Sequence, residues 1–312
     1  MRIVLETKHM NGFLNIYKPA GMTSAAVVGV LKRLTGVRRI GHAGTLDPEA
    51  AGVLPIMLGR ATRLFDYLVD KEKEYETVCA FGTATDTQDA TGMVTAEGQD
   101  YPSLKRIEKE LPALTGDIIQ KPSIYSAIKV GGKPLYARAR KGEEVDVPER
   151  VVHVEQITIL GEAPDHGVRL RVSCGRGTYI RSICHDLGSL CGCPAHMRSL
   201  IRTKSGFFLR EDALSLETVR QRAEAGDISD VLIPIDAPIQ HLPRMDAPSW
   251  MGKWIAAGAR LPLEKMNGNP PEDGNVTRIY LQDTFWGIAV REDDSLRWRA
   301  QIPPEGYAEE DG

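Results

Sequence analysis

The sequence predicts a mixed α/β (α+β) fold with a small β unit at its C-terminal end. Three observations carry this. Apolar residues recur at helical spacing over residues 24–35, 61–68 and 180–190. Apolar and polar residues alternate at 73–81, 150–160 and 168–174, as in half-buried strands. Residues 276–282, 284–291 and 295–302 read as three short strands joined by tight Asp-containing turns, the pattern of a small β-barrel.

In order along the chain, Phe13-Leu14-Asn15-Ile16-Tyr17 forms a short strand that Lys18-Pro19 ends. Thr23 or Ser24 caps the next helix, which carries Val27, Val28, Leu31 and Leu34 and stops at Gly36. Ala61, Leu64, Phe65 and Leu68 mark a second amphipathic helix. The strand Lys73–Phe81 places Tyr75, Thr77, Cys79 and Phe81 on one face. Residues 82–100 read as loop, followed by a helix near 103–111. Gly131-Gly132 reads as a hairpin turn. After the strands at 150–160 and 168–174, Thr178 is the candidate N-cap of a helix striped by Ile180, Ile183, Cys184, Leu187 and Leu190. Residues 194–210 form a basic strand pair with His196, Arg198, Arg202, Lys204 and Arg210, and the basic stretches at 8–39, 121–141 and 198–210 are expected to converge on one face that meets a polyanion. A Pro- and Ile-rich linker at about 233–243 divides the chain into domains at 1–240 and 241–312.

A net charge of −3 would argue against a polyanion partner if charge were spread evenly, but it is not. No acid lies between Glu6 and Asp47, while Lys8, Lys18, Lys32, Arg33, Arg38 and Arg39 do. Residues 118–142 carry Lys121, Lys129, Lys133, Arg138, Arg140 and Lys141, again without an acid. The part from residue 243 onward is net acidic. The five cysteines are odd in number and Cys191-Gly-Cys193 is too tight for a zinc knuckle, so neither a disulfide framework nor a metal site is expected. No apolar run is long enough for a membrane span. These features predict a reduced, cytoplasmic protein.

The stretch around which the chain is organised is Gly41-His42-Ala43-Gly44-Thr45-Leu46-Asp47-Pro48, followed by Leu54-Pro55-Ile56-Met57-Leu58-Gly59. Pro48 pushes Asp47 out of the α region, and Gly41 and Gly44 permit a tight bend and close approach of a ligand. On spacing alone, Asp-Pro is also an ordinary turn. The stretch closely resembles the catalytic loop of the bacterial tRNA pseudouridine synthases of the TruB family. Further motifs in the same order strengthen the resemblance: Lys18-Pro19 with Gly21-Met22-Thr23-Ser24, Lys73-Glu74-Tyr75, Pro122 to Lys129, and Gly177-Thr178-Tyr179-Ile180-Arg181. It covers roughly residues 12–240.

The resemblance implies a pseudouridine synthase fold: a large, mainly antiparallel, continuous sheet flanked by helices, with a small C-terminal β-barrel-like, PUA-type domain. It implies isomerisation of the T-loop uridine conventionally numbered 55, with the base flipped from its stack. Asp47 would be the essential carboxylate, Arg181 the cation beside it, and Tyr75 the ring stacked on the uracil near C5. His42 would enter the T loop, Tyr179 and Leu200 would line the pocket, and Lys18 would support it. A mobile basic arm at about 118–148, with Lys129, Lys133 and Arg138, would close over the tRNA T arm, and Arg202 would join the RNA face. No cofactor, metal, membrane or obligatory protein partner is implied, and the chain is expected to be a monomer. The weaker alternatives are a non-catalytic RNA-binding chaperone of the same fold, a metal hydrolase using His42, Asp47, His185 and Asp186, and a guide-RNA-dependent synthase.

Overall fold

A computed structural model describes residues 10–69, 71–126, 129–130, 132–139, 146–226 and 228–304. The N-terminal strands and helices are β1 (Gly12–Lys18), α1 (Ser24–Thr35), β2 (Ile40–His42), β3 (Ala51–Leu58), α2 (Phe65–Val69) and β4 (Lys73–Phe81). Next come β5 (Thr83–Thr85), β6 (Val94–Glu97), α3 (Leu104–Glu110), β7 (Gly116–Gln120), β8 (Lys129–Val130), β9 (Lys133–Pro134) and α4 (Leu135–Ala139). Then follow β10 (Arg150–Ala163), β11 (Gly167–Cys174), α5 (Ile180–Cys191), β12 (Ala195–Ser205), β13 (Phe208–Leu209) and α6 (Leu216–Glu224). The C-terminal part holds β14 (Arg244–Ala247), α7 (Gly252–Ala256), β15 (Leu261–Pro262), β16 (Asn267–Gly268), β17 (Val276–Leu281), β18 (Thr284–Glu292) and β19 (Ser295–Gln301).

Nine strands make one sheet in the order β1-β3-β12-β4-β11-β10-β7, with β2 paired to β3 and β13 to β12. Its pairings are antiparallel except for β3 with β12, parallel over Ile201↔Ala51 and Arg202↔Gly52. That joint needs a glycine. Gly52 has φ +108°, and a Cβ there would lie 2.2 Å from the Arg202 carbonyl oxygen. The joint brings the Asp47 loop, which precedes β3, beside β4 and β12.

Helix α5 lies on the sheet, with Ile180, Ile183, Cys184 and Leu187 buried against Cys79, Val168, Leu170 and Val172. Helices α1 and α6 cover the other end: Val27, Leu31 and Val219 pack on Leu14, Ile16, Leu54 and Ile56. Each such buried side chain stabilises the fold by about 1.5–3 kcal/mol before entropy is counted. Helix α1 starts and stops as its sequence dictates. The Thr23 side chain accepts from the Ala26 N–H, and Gly36 closes the helix at φ 69°. The C-terminal strands form a six-stranded sheet, curled at bulges in β17 and β18. It docks on the large sheet through Tyr280, Phe285 and Ile288 against Phe13, Val53 and Leu64. The mixed α/β class and the small C-terminal β unit are as the sequence predicts, and the large, mainly antiparallel sheet is as the family resemblance implies. All five cysteines are free.

Several local expectations need correcting. The second helix begins as a 3-10 turn over Gly59–Leu64, and Phe65 faces outward at 41 % exposure. Residues 82–100 are not all loop, since β5 and β6 pair there. Thr178 does not cap α5: its hydroxyl donates back to the Gly175 carbonyl, and Tyr179 occupies the cap position. The stretch at 233–243 is not a free tether, because Ile233 bridges to Phe13 and Ile239 is fully buried. The expected hairpin is seen as Lys129↔Pro134 and Val130↔Lys133, while Gly131 itself, with Lys8, Arg140 and Lys141, lies outside the described residues.

The parallel joint and the interior of α1 give opposite expectations for the same substitution. Gly52→Ala should destabilise by at least about 2 kcal/mol, from positive φ and a backbone clash. Gly29→Ala, in mid-helix with only the tip of Arg33 nearby at 3.8 Å, should stabilise by about 0.5–1 kcal/mol. Urea unfolding midpoints check both, and a tolerated Gly52→Ala would contradict the account of the joint.

Candidate active site

The loop between β2 and β3 is held on both flanks and open at its tip. Ala43, Leu46 and Ala50 are buried anchors. The Ala43 N–H donates to the Pro55 carbonyl at 2.9 Å. The Ser24 hydroxyl donates to the Leu46 carbonyl at 3.2 Å and accepts from the Leu46 N–H at 3.0 Å. Lys18, fully buried, donates to three carbonyls: Pro19 at 2.9 Å, Met22 at 2.5 Å and Pro48 at 2.9 Å. An ammonium has three donors, so Lys18 is saturated by backbone. Asp47 stands at the tip with its side chain 43 % exposed.

Arg181, in the first turn of α5, lies beneath Asp47 with only 6 % of its side chain exposed. Its Nε is 3.1 Å from Asp47 Oδ2, an ion pair without the alignment of a hydrogen bond. Its Nη1 donates to the Thr87 carbonyl at 3.1 Å and lies 3.6 Å from Asp89 Oδ2. Its Nη2 donates to the Tyr125 carbonyl at 3.2 Å. Asp89 is fixed in turn by Thr87 Oγ1, the Thr91 N–H and Thr91 Oγ1. The guanidinium therefore bridges two carboxylates and two backbone segments. Gln120, fully buried, steadies the start of α5: its amide accepts from the Tyr179 N–H at 3.0 Å and donates to the Tyr179 carbonyl at 3.2 Å.

These residues border a cleft of about 780 Å³ lined by Thr23, Ser24, His42, Asp47, Thr87, Asp89, Tyr125 and Arg181, among others. That is room for a nucleotide-sized group. His42, half-buried, lines it, and its pKa is lowered by burial and by Arg202, so the ring is neutral at pH 7. Tyr75 and Leu200, each 8 % exposed, are buried in one core cluster with Leu46 and Ala50 of the loop; neither they nor Tyr179 are among the residues that line the cleft. Burial pushes the Tyr75 hydroxyl up from its ordinary value, with the Arg202 guanidinium opposing. Burial likewise raises Tyr179, against the pull of Arg150 and Arg181. Both hydroxyls are protonated at neutral pH.

The structure thus brings Asp47, Arg181 and His42 together at one cleft, with Tyr75, Tyr179 and Lys18 as close neighbours. It does not place Arg202 on an RNA face. Arg202 is 1 % exposed and donates to the Val53 and Gly44 carbonyls at 2.7 and 3.1 Å. Its neighbours on the third basic stretch are matched internally: Arg198 with Asp165, Lys204 with Glu72, Arg210 with Glu76. By contrast Lys32, Arg33, Arg38 and Arg39 are exposed. The side chains of Lys129 and Lys133 lie outside the described residues, and Arg138 is half-buried on α4. Asp89 and Gln120 were missed. The Thr-Asp run at 83–89 was the available signal for Asp89, and nothing local marks Gln120.

The cleft thus carries an open carboxylate, Asp47, beside a buried arginine, and similarity to known proteins places the chain in a family. The model of the TruB family pseudouridylate synthase N-terminal domain matches residues 32–180, and that of the tRNA pseudouridylate synthase B C-terminal domain matches 181–240. The tRNA pseudouridine synthase B of Geobacillus kaustophilus is 43 % identical over 270 residues, 83 % of this chain and 95 % of that one. Its counterpart in Heliobacterium modesticaldum is 39 % identical over 303 residues, 95 % and 96 % of the two chains. Among solved structures, a Cbf5–Nop10–Gar1 complex superposes with TM-score 0.71 at 27 % identity, covering 92 % of this chain and 80 % of that one. An archaeal box H/ACA Nop10–Cbf5 complex does so with TM-score 0.73 at 25 % identity, covering 96 % and 88 %. The chain belongs to the TruB family of pseudouridylate synthases.

Lys18 gives a test of how the loop is held. Lys18→Met removes the donors to three partly buried carbonyls and should destabilise by about 1 kcal/mol or more at pH 7. Burial, opposed by Glu49 and Asp47, brings the Lys18 pKa down from 10.5 to about 8. Between those values the unfolded chain binds more protons at this position than the folded one, so the stability contributed by Lys18 rises with pH across that window. The stability difference between the unaltered chain and Lys18→Met should widen from pH 8 to 10.5. A constant difference in urea unfolding would contradict it.

Proposed function

We propose that this chain isomerises the T-loop uridine 55 of tRNA to pseudouridine, acting alone as a cytoplasmic monomer. The observation that carries the reading is the Arg181–Asp47 pair on the cleft floor, 3.1 Å apart, in a chain of this family. The chemistry is balanced without an external electron or group. The C1′–N1 bond breaks, a C1′–C5 bond forms, C5 loses a proton and N1 gains one. Asp47 supplies the anionic oxygen, as nucleophile or as base at C2′, and Arg181 orients it. Tyr75 places the uracil, and His42 fills the space that the flipped base leaves in the T loop. Residues 1–240 form the catalytic unit on this reading, which the cleft supports by drawing every lining residue from that part. Residues 241–312 form the PUA-like unit.

The T-arm phosphates are read as following the exposed end of α1, with Lys32, Arg33, Arg38 and Arg39, and the arm with Lys129, Lys133 and Arg138. The 198–210 stretch is left out of that track, since its charges are already matched by carboxylates or buried. No helix among the described residues is long and apolar enough to cross a membrane.

Tritium release from tRNA transcript labelled at uracil C5 tests the activity. The unaltered chain alone should release label. Asp47→Asn, which keeps shape but removes charge and basicity, should release none above background while binding tRNA within a few fold. Clear turnover by a folded Asp47→Asn would refute its role. A second measurement addresses the phosphate track. Four to six neutralised phosphates give a log–log salt slope of roughly −3 to −5. Neutralising Lys129, Lys133 and Arg138 together should weaken binding and flatten that slope while the modified uridine stays the same, because phosphate contacts position rather than specify. An unchanged slope, or modification of other uridines, would sink the assignment.

A further inference from the structure

Arg202 is the bulkiest of the fully buried side chains, and among the described residues no carboxylate pairs with it. A buried cation without an anion costs free energy unless its donors are well satisfied. Its donors reach the Val53 carbonyl at 2.7 Å and the Gly44 carbonyl at 3.1 Å. Gly44 has φ +96°, and a Cβ there would sit 3.4 Å from Arg202 Nη1, so the loop backbone lies directly on the guanidinium. Across the sheet Arg202 is the register partner of Tyr75, so the two side chains leave the strands on one face. The guanidinium charge opposes the rise that burial gives the Tyr75 hydroxyl pKa. The same charge lowers the pKa values of Lys18 and His42.

We propose that Arg202 is a positioning residue of the isomerisation, holding the Gly44 carbonyl of the Asp47 loop and the Tyr75 hydroxyl in one fixed relation from beneath the cleft. The proposal rests on the reading of Asp47 and Tyr75 as groups that act on the uridine. Gly44 is three residues before Asp47, so a shift of its carbonyl moves the carboxylate. Tyr75 stands beside the same guanidinium as its cross-strand partner, so on this proposal loop and ring keep their spacing as the base enters.

The test is single-turnover kinetics with tRNA for Arg202→Met and Arg202→Lys, each also made in a Tyr75→Phe background. Arg202→Met should slow turnover at least about tenfold with tRNA affinity within about threefold, because small misplacements of reacting groups act on rate rather than binding. Arg202→Lys keeps the charge but loses the planar fork, and should recover only part of the rate. In the Tyr75→Phe background the same substitutions should cost about threefold or less, since residues acting through one another are not additive. If Arg202→Met does not fold, Arg202→Lys decides. An Arg202→Lys chain at the unaltered rate, or equal losses in both backgrounds, overturns the proposal and leaves the proposed function standing. An unaltered chain that forms no pseudouridine overturns both.

Discussion

The site depends on how one buried guanidinium is satisfied. Arg181 cannot shed its charge and is almost wholly out of water, so it must be met by anions and carbonyls. Asp89 and the Thr87 and Tyr125 carbonyls meet part of its donor fork, and Asp89, at 18 % exposure, is the more buried of the two carboxylates. Asp47 is left at the other edge, paired but open to the cleft. This division leaves one carboxylate tied into the fold and the other open to a ligand, although both lie on the same arginine. The Tyr125 carbonyl accepts from Nη2 of that same guanidinium.

The sheet makes that arrangement possible. Among the described residues the short parallel joint between β3 and β12 is the one place where the order of the large sheet departs from antiparallel pairing, and it lies immediately after the Asp47 loop. Gly52 lets the two backbones meet there, and Arg202 fills the space beside them. Lys18 reaches the same loop from the end of β1. Two buried cations therefore hold the loop by its carbonyls, while Asp47 and Glu49 face the cleft.

Much of this was legible in the sequence. Helical spacing at Val27 and Leu31, with Thr23 or Ser24 before and Gly36 after, specified α1 to within a residue, and the structure puts the cap at Thr23. Alternation placed Tyr75 on the buried face of β4. The Asp47 loop and Arg181 were found by motif, not by spacing, since nothing local separates Asp-Pro in a turn from Asp-Pro in an active site. What was not legible depends on distant partners. Arg202 looks like one of several basic residues on a strand, and only the sheet order reveals that it points into the joint. The charges of Arg198, Lys204 and Arg210 read as free until Asp165, Glu72 and Glu76 come beside them through pairing. Thr178 has the right chemistry for a cap, yet the tie between Gln120 and Tyr179 sets the helix start one residue later.

The central claim is that Asp47, held by Arg181, gives this chain a base-specific isomerase activity of its own. It is tested most directly by incubating the isolated chain with total unmodified tRNA and mapping pseudouridine at nucleotide resolution. The account predicts pseudouridine at position 55 across the tRNA pool and at no other uridine. Absence of pseudouridine there, or its appearance only when other proteins or a guide RNA are added, would contradict it.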